Sequence, residues 1–251
     1  MKHKYVTKKY LENFKHHVGE GTESIRFYDD KYFLKIIRKY LLDDEKIKTI
    51  ESLDKLEHKY SVTPEFLLYD KTGIIGYAAN NYLDYYFLND LLSNDISVES
   101  KINFNERKRI MIELANLLEF YRQKDFSYYD IHEKNILYKD NDIKVLDLDG
   151  GTFKEYEKPF IYDSHLKFVN RKLSYLSICY LYNLTCDKFT DNYLFDDEKI
   201  NALLNYLPKK LKDFYYYAFS VDYKGYHDIS ENINLIDENI YNETKQILLK
   251  K

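Results

Sequence analysis

Residues 128–151 constrain the fold of this chain more than any other segment. They read as a polar loop, Tyr128-Tyr129-Asp130-Ile131-His132-Glu133-Lys134, followed by two short strands at 135–138 and 143–146. The turn Lys139-Asp140-Asn141-Asp142 joins the strands, and a second polar stretch follows, Asp147-Leu148-Asp149-Gly150-Gly151. An amphipathic helix is expected just before this segment, over 105–123, because Ile110, Leu114, Leu117, Leu118 and Tyr121 recur at helical spacing. After it, the uncharged run 173–186 suits a buried helix over 171–186, too short to cross a bilayer. The order is therefore a helix, a loop with carboxylates, a hairpin, more carboxylates and a buried helix.

Upstream the pattern is strand-rich. A short leading helix is expected over 5–14. Strands follow at 24–28 and 32–37 around Asp29-Asp30, then a helix over 44–58 with Ile47, Ile50, Leu53 and Leu56 on its apolar stripe. Another strand pair, 66–69 and 74–79, flanks Lys71-Thr72-Gly73. Beyond about residue 83 the chain reads as mostly helical. The expectation is an α+β fold with a small β-rich part over 1–80, holding one main helix, and a larger α-helical part over 81–251. No proline- or glycine-rich linker marks the junction near 79–82.

Composition narrows the alternatives. Glycine (7) and proline (3) make up about 4% of the chain, which excludes collagen-like and flexible-linker architectures and makes each glycine worth locating. A net charge of −4 carries no basic excess of the kind that marks a general nucleic-acid binder. Met1 to His17 lacks the apolar core of a targeting segment, and no membrane partner is expected. Cys179 and Cys186 fall on one expected helix, about 10 Å apart along its axis. That is too far for a disulfide, so free buried thiols in a reducing, cytoplasmic compartment are expected.

Four signals carry chemistry. Gly19-Glu20-Gly21-Thr22-Glu23-Ser24 precedes a strand, and its glycines let backbone N–H groups approach a phosphate. Lys35 stands inside the apolar strand Tyr32-Phe33-Leu34-Lys35-Ile36-Ile37 and needs a partner or a polar cleft. Asp130 and Asn135 lie five apart on a loop, where a carboxylate can take a proton from a hydroxyl and an amide oxygen can hold a hard cation. Asp147 and Asp149 end a strand before Gly150-Gly151, as hard oxygen ligands beside phosphates would. Each signal alone also has a plain reading as a turn, a strand's solvent face or a strand-end loop.

Together, in this order, they resemble the protein-kinase-like superfamily over roughly residues 15–185. Bacterial-type serine/threonine protein kinases are the nearer likeness, with some features of aminoglycoside and choline phosphotransferases. The resemblance implies a bilobal fold binding ATP and Mg²⁺ between its lobes. It implies that Gly19, Gly21 and Ser24 form the loop over the phosphates and that Lys35 binds the α- and β-phosphates. It implies that Asp130 is the catalytic base and that Asn135 and Asp147, with Asp149, hold metal. A glutamate of the 44–58 helix should pair with Lys35; Glu51 is favoured by its distance, with Glu45 and Glu57 competing.

Several residues depart from the family pattern. Arg26 stands where a valine usually covers adenine, so its charge needs an outlet. Tyr128-Tyr129 replaces His-Arg before Asp130, so activity should not require phosphorylation within 150–170. His132 and Asp149 lean towards small-molecule enzymes. Leu181-Tyr182-Asn183-Leu184-Thr185 echoes a protein-kinase core helix, but no aspartate starts that helix to brace the loop from below, and no Ala-Pro-Glu triplet is found. The expected function is an ATP- and Mg-dependent phosphotransferase, foremost a serine/threonine-type protein kinase with a protein substrate. The alternatives are a small-molecule kinase, a pseudokinase binding module, or another transfer such as adenylylation.

Overall fold

The computed structural model describes residues 1–16, 23–93, 98–181, 204–205, 209–218 and 225–248. Six strands form the N-terminal sheet: Lys2–Tyr5 (β1), Lys15–His16 (β2), Ser24–Tyr28 (β3), Tyr32–Ile37 (β4), Pro64–Asp70 (β5) and Gly73–Asn80 (β6). Their order is β1-β5-β6-β4-β3-β2, all pairings antiparallel except β1 on β5. Aspartates set the two main hairpins. Asp29 Oδ1 accepts from the backbone N–H groups of Lys31 and Tyr32, and Asp70 Oδ1 accepts from that of Thr72.

The leading segment differs from its expected helix. Helix is confined to Lys8–Leu11 (α1), capped by Thr7 Oγ1 on the Tyr10 N–H, because residues on either side are drawn into the sheet as β1 and β2. Tyr10, Leu11 and Phe14 cover one face of the sheet over Val6, Leu34, Leu68 and Ala78. On the other face Asp44–Ser52 (α2), capped by Asp43, lays Ile50 on Ile37, Val62, Leu67, Tyr77 and Ala79. Each fully buried aliphatic side chain of this kind contributes about 1.5–3 kcal/mol.

The remainder is largely helical. Phe104–Gln123 (α3) opens on a capping box, Asn103 Oδ1 with the Glu106 N–H and Glu106 Oε2 with the Asn103 N–H. Pro159–Leu181 (α4) begins twelve residues before the expected start, with proline in the first turn, where its missing N–H costs nothing. Charged residues between 163 and 172 hid this part of the apolar run. Further helices span Lys209–Ala218, His227–Asn234 and Glu238–Leu248. Leu114, Leu118, Tyr121, Leu173, Leu176, Tyr215 and Ile229 share the main core. Cys179 is a free, buried thiol in α4; Cys186 lies outside the described residues. Among the described residues no helix is long and apolar enough to cross a membrane.

Short strands place the polar loops. Tyr86–Phe87 (β7) and Asp142–Val145 (β10) flank Ile136–Lys139 (β9), while Phe126–Ser127 (β8) pairs with Thr152–Phe153 (β11). The loop after β8 runs to β9, and the loop after β10 runs to β11. Both loops are therefore held at both ends by pairing between the same two segments of chain, and must lie side by side. Val62 N–H to Val145 O (3.0 Å) and Val145 N–H to Tyr60 O (2.7 Å) tie the N-terminal part to the hairpin that carries Asp147.

Candidate functional site

Three neighbouring strands present a row of polar side chains towards these loops. Arg26 on β3 is in register with Lys35 on β4, which is in register with Tyr77 on β6. Close strand approach at the neighbouring position depends on Gly76. Its φ is +152°, and a Cβ there would lie 2.0 Å from the Lys35 carbonyl oxygen. Lys35 is only 3% exposed. Its ammonium lies 2.8 Å from Asp149 Oδ1 and 3.3 Å from Asp147 Oδ1.

Asp149 is the centre of a buried network. Oδ1 also accepts from the Tyr77 hydroxyl at 2.7 Å, Oδ2 lies 3.0 Å from Lys46 Nζ, and Lys46 donates to the Asp149 carbonyl as well. Burial alone would raise the Asp149 carboxyl, but Lys35 and Lys46, with the bonds from Lys35 and Tyr77, hold it well below the usual carboxylate range. Burial would pull the Lys35 ammonium down; Asp149 and Asp147 outweigh it and leave the pKa raised. Burial, with Asp149 and Asp147 behind it, pushes the Tyr77 phenol far up, so Tyr77 stays a neutral donor.

Asp147 adopts a left-handed backbone (φ 55°), a conformation that aspartate tolerates better than most residues. Its Oδ2 lies 3.3 Å from an Arg26 guanidinium nitrogen, so this carboxylate is shared by Arg26 and Lys35. Arg26 thus finds the outlet its charge needs.

In the neighbouring loop, Asn135 Nδ2 donates to both Asp130 Oδ2 and the Asp130 carbonyl, each at 3.0 Å. His132 Nδ1 accepts from the Lys134 N–H, which leaves the ring proton on Nε2, 3.6 Å from Asp130 Oδ1. Burial lowers the His132 pKa despite the pull of Asp130. The two tyrosines before Asp130 have defined work. Fully buried Tyr128 donates from its hydroxyl to the Leu146 carbonyl (2.9 Å), joining the two loops just ahead of Asp147. Tyr129 packs on His165, and its carbonyl accepts from the buried Lys172 of α4 at 3.3 Å. A lysine on the core helix therefore holds the Asp130 loop from below. Gly150 lets the second loop pass the first, since a Cβ there would lie 2.9 Å from Asp130 Cβ.

Two cavities meet here. An apolar-walled cleft of about 350 Å³, with Phe33, Val62, Ala79, Leu83, Leu137 and Leu146 among its lining, runs under the end of β6. A more polar cavity of about 450 Å³ holds Asp130, His132, Glu23, Asn89 and Asp90. Arg26, Phe87, Lys134, Asn135 and Asp147 line both.

The structure thus brings together Lys35, Asp130, Asn135, Asp147 and Asp149, while Gly19 and Gly21 lie outside the described residues. Ser24 is buried and accepts from Arg26 Nε at 3.4 Å. Glu51 is not brought to Lys35. It is exposed on α2, and Glu45 and Glu57 are exposed as well; Asp149 occupies the counter-ion role expected of a helix glutamate. Lys46 and Tyr77 were missed. The signal for Lys46 was its position three and four residues before buried Thr49 and Ile50, on the inward stripe of α2. The signal for Tyr77 was its place in an otherwise small and apolar strand.

For a divalent cation, Asp147 and Asn135 offer the hard side-chain oxygens shared by both cavities, while Asp130, Glu23, Asn89 and Asp90 stand on the polar cavity alone. Asp149 fits the metal-ligand role expected of it less well than Asp147: it is buried and its oxygens are held at 2.7–3.0 Å by Lys35, Tyr77 and Lys46, whereas the part-exposed Asp147 carboxylate lies 3.3 Å from Lys35 and Arg26. Among the described residues no group of three His, Cys, Asp or Glu could hold a metal. Asp147 and Asn135 suit Mg²⁺, which typically uses one or two protein oxygens and completes its shell with phosphate and water. No protein-family model matches the chain, and no curated protein matches it.

Proposed function

We propose that this protein is an ATP- and Mg-dependent phosphotransferase acting on a hydroxyl group, in a bilobal protein-kinase-like fold. One observation carries the reading: an apolar cleft suited to a flat base and a polar cavity holding Asp130 share a wall of Arg26, Asn135 and Asp147, with Lys35 behind it. Lys35 and the cavity wall would hold the phosphates. Mg²⁺ held by Asp147 and Asn135 would neutralise charge on the transferring group. Asp130 would orient the acceptor hydroxyl and take its proton as the acceptor oxygen–phosphorus bond forms and the bridging oxygen–γ-phosphorus bond breaks, leaving ADP. Such a reaction rests on positioning and charge neutralisation, which this site supplies.

The acceptor we favour is a serine or threonine hydroxyl on a protein. Between Asn80 and Phe104 the described residues hold a two-residue strand and a single 3₁₀ turn, Leu88–Asp90, which leaves the polar cavity open. His132 beside Asp130 is the observation that favours a small hydroxyl compound instead.

The test is label transfer from γ-labelled ATP with Mg²⁺ to protein and metabolite pools, with Asp130→Asn as control. Turnover should fall by about 10²-fold or more in the variant, while ATP affinity stays within about twofold. Full activity in Asp130→Asn would remove Asp130 from the role of base. Label in neither pool, with no thermal shift at millimolar Mg·ATP, would sink the phosphotransfer reading and favour a binding module.

A further inference from the structure

Resting on the nucleotide reading above, we propose that Arg26 is a polyphosphate ligand: it rests on Asp147 when the site is empty and exchanges that carboxylate for the phosphate chain of a bound nucleotide. Its place allows this. Arg26 lines both cavities, on the strand next to Lys35 and in register with it. Its contacts are loose: 3.3 Å to Asp147 and 3.4 Å to Ser24, against about 2.7–2.9 Å for a well-made charge-assisted bond. Its side chain keeps 30% exposure, so it can turn without unpacking the sheet.

Charge next to Arg26 favours the exchange. Lys35, Lys46 and Arg26 face Asp147 and Asp149, one positive charge in excess, with Tyr77 neutral. Glu23, Asp90, Asp130 and Lys134 are the other charged groups on the polar cavity, and Asp130 is already engaged by Asn135. A guanidinium does not give up its proton. Once a cation takes an Asp147 oxygen, Arg26 loses that carboxylate, and a phosphate entering the cavity it lines can take the same place. A phosphate oxygen pair meets the guanidinium fork bidentately. In the empty site Arg26 competes with the metal, so metal and nucleotide should bind as a unit, and metal alone only weakly.

The experiment is equilibrium binding to the full chain, without turnover. Adenosine and ATP are titrated in the absence of divalent cation, and Mn²⁺ is titrated alone. Arg26→Gln should cut the preference for ATP over adenosine by about tenfold, the loss of a charge-assisted bond. Urea unfolding should report that the variant is folded, adenosine affinity should fall less than ATP affinity because Arg26 also lines the apolar cleft, and Mn²⁺ alone should bind several-fold more tightly because Asp147 is released. Arg26→Lys, which keeps the charge but not the fork, should fall between the two. If wild type prefers ATP and Arg26→Gln keeps both that preference and the Mn²⁺ affinity, the role of Arg26 is overturned while the nucleotide reading stands. A wild type that binds neither ATP nor adenosine overturns both.

Discussion

Asp149 and Tyr128 show what single side chains do here. Asp149 is 2% exposed and meets two ammonium groups and a phenol, so replacing it with asparagine leaves buried cations short of a counter-ion. We expect Asp149→Asn to cost about 3 kcal/mol in urea unfolding. Because the folded carboxyl titrates below its unfolded value, its contribution is present above about pH 4 and is lost as the pH falls below that. The variant should therefore show a flatter acid limb between about pH 4 and 2, and an unchanged limb would mean that Asp149 is not ionised. For Tyr128→Phe, loss of the bond to the Leu146 carbonyl should cost about 1 kcal/mol and lower kcat more than it raises KM for ATP. Equal effects on both constants would leave Tyr128 as core filler. The charged residue types of the site were legible from strand-end carboxylates and a lysine in an apolar strand. Their pairing was not. Which carboxylate answers Lys35 depends on how closely α2 and the 147–151 loop approach β4, and nothing local in the sequence records that distance.

At the scale of elements, strand and helix assignments were read well wherever periodicity and turn chemistry agreed. The hairpin Ser24–Tyr28 and Tyr32–Ile37 appears with the expected bounds because Asp29 makes the turn itself. Three elements were misjudged: the leading segment, the start of α4, and the expected 44–58 helix, which is α-helical only to Ser52 and tightens into a 3₁₀ turn over Leu53–Leu56. The leading segment is split by parallel pairing with β5, and the early part of α4 carries charges that face away from the core. Two substitutions test how elements hold the site. Gly76→Ala would push a methyl into the Lys35 carbonyl and force β4 from β6. We expect a loss of about 2–4 kcal/mol, measured by urea unfolding, and a loss below 0.5 kcal/mol would show that the strands can part at little cost. Lys172→Met removes the support that α4 gives the Tyr129 carbonyl. Turnover should fall while ATP affinity holds, since the cleft is lined by other elements; an affinity loss as large as the loss in turnover would point to general unfolding of the loop.

For the whole molecule, the proposed ligand spans both parts, from β3, β4 and β6 to the loops on the helical base. A ligand that binds the folded chain alone stabilises it by about 2.7 kcal/mol at a hundred times its Kd. For a chain of this size Mg·ATP should then raise Tm by about 5–10 °C, with adenosine giving less. Equal shifts from both would argue that the phosphates make no contact. The division into a strand-rich and a helix-rich part was readable from the change in periodicity near residue 83. The closeness of the two polar loops was not, because it depends on pairings of two-residue strands, too short to leave a pattern.

The Asp147-x-Asp149 spacing has a further consequence. The oxygen proposed for the metal and the counter-ion of Lys35, the lysine proposed to hold phosphate, ride on one turn of backbone, with one residue between them. In a site where the lysine's partner sits on a separate helix, either half can be disengaged alone. Here the two halves rise and fall together, so a shift of this turn acts as one switch with two contacts. Backbone amides across 146–150 should accordingly lose and regain their exchange protection as a block, in step with Lys35 and with α2, whose Lys46 also holds Asp149.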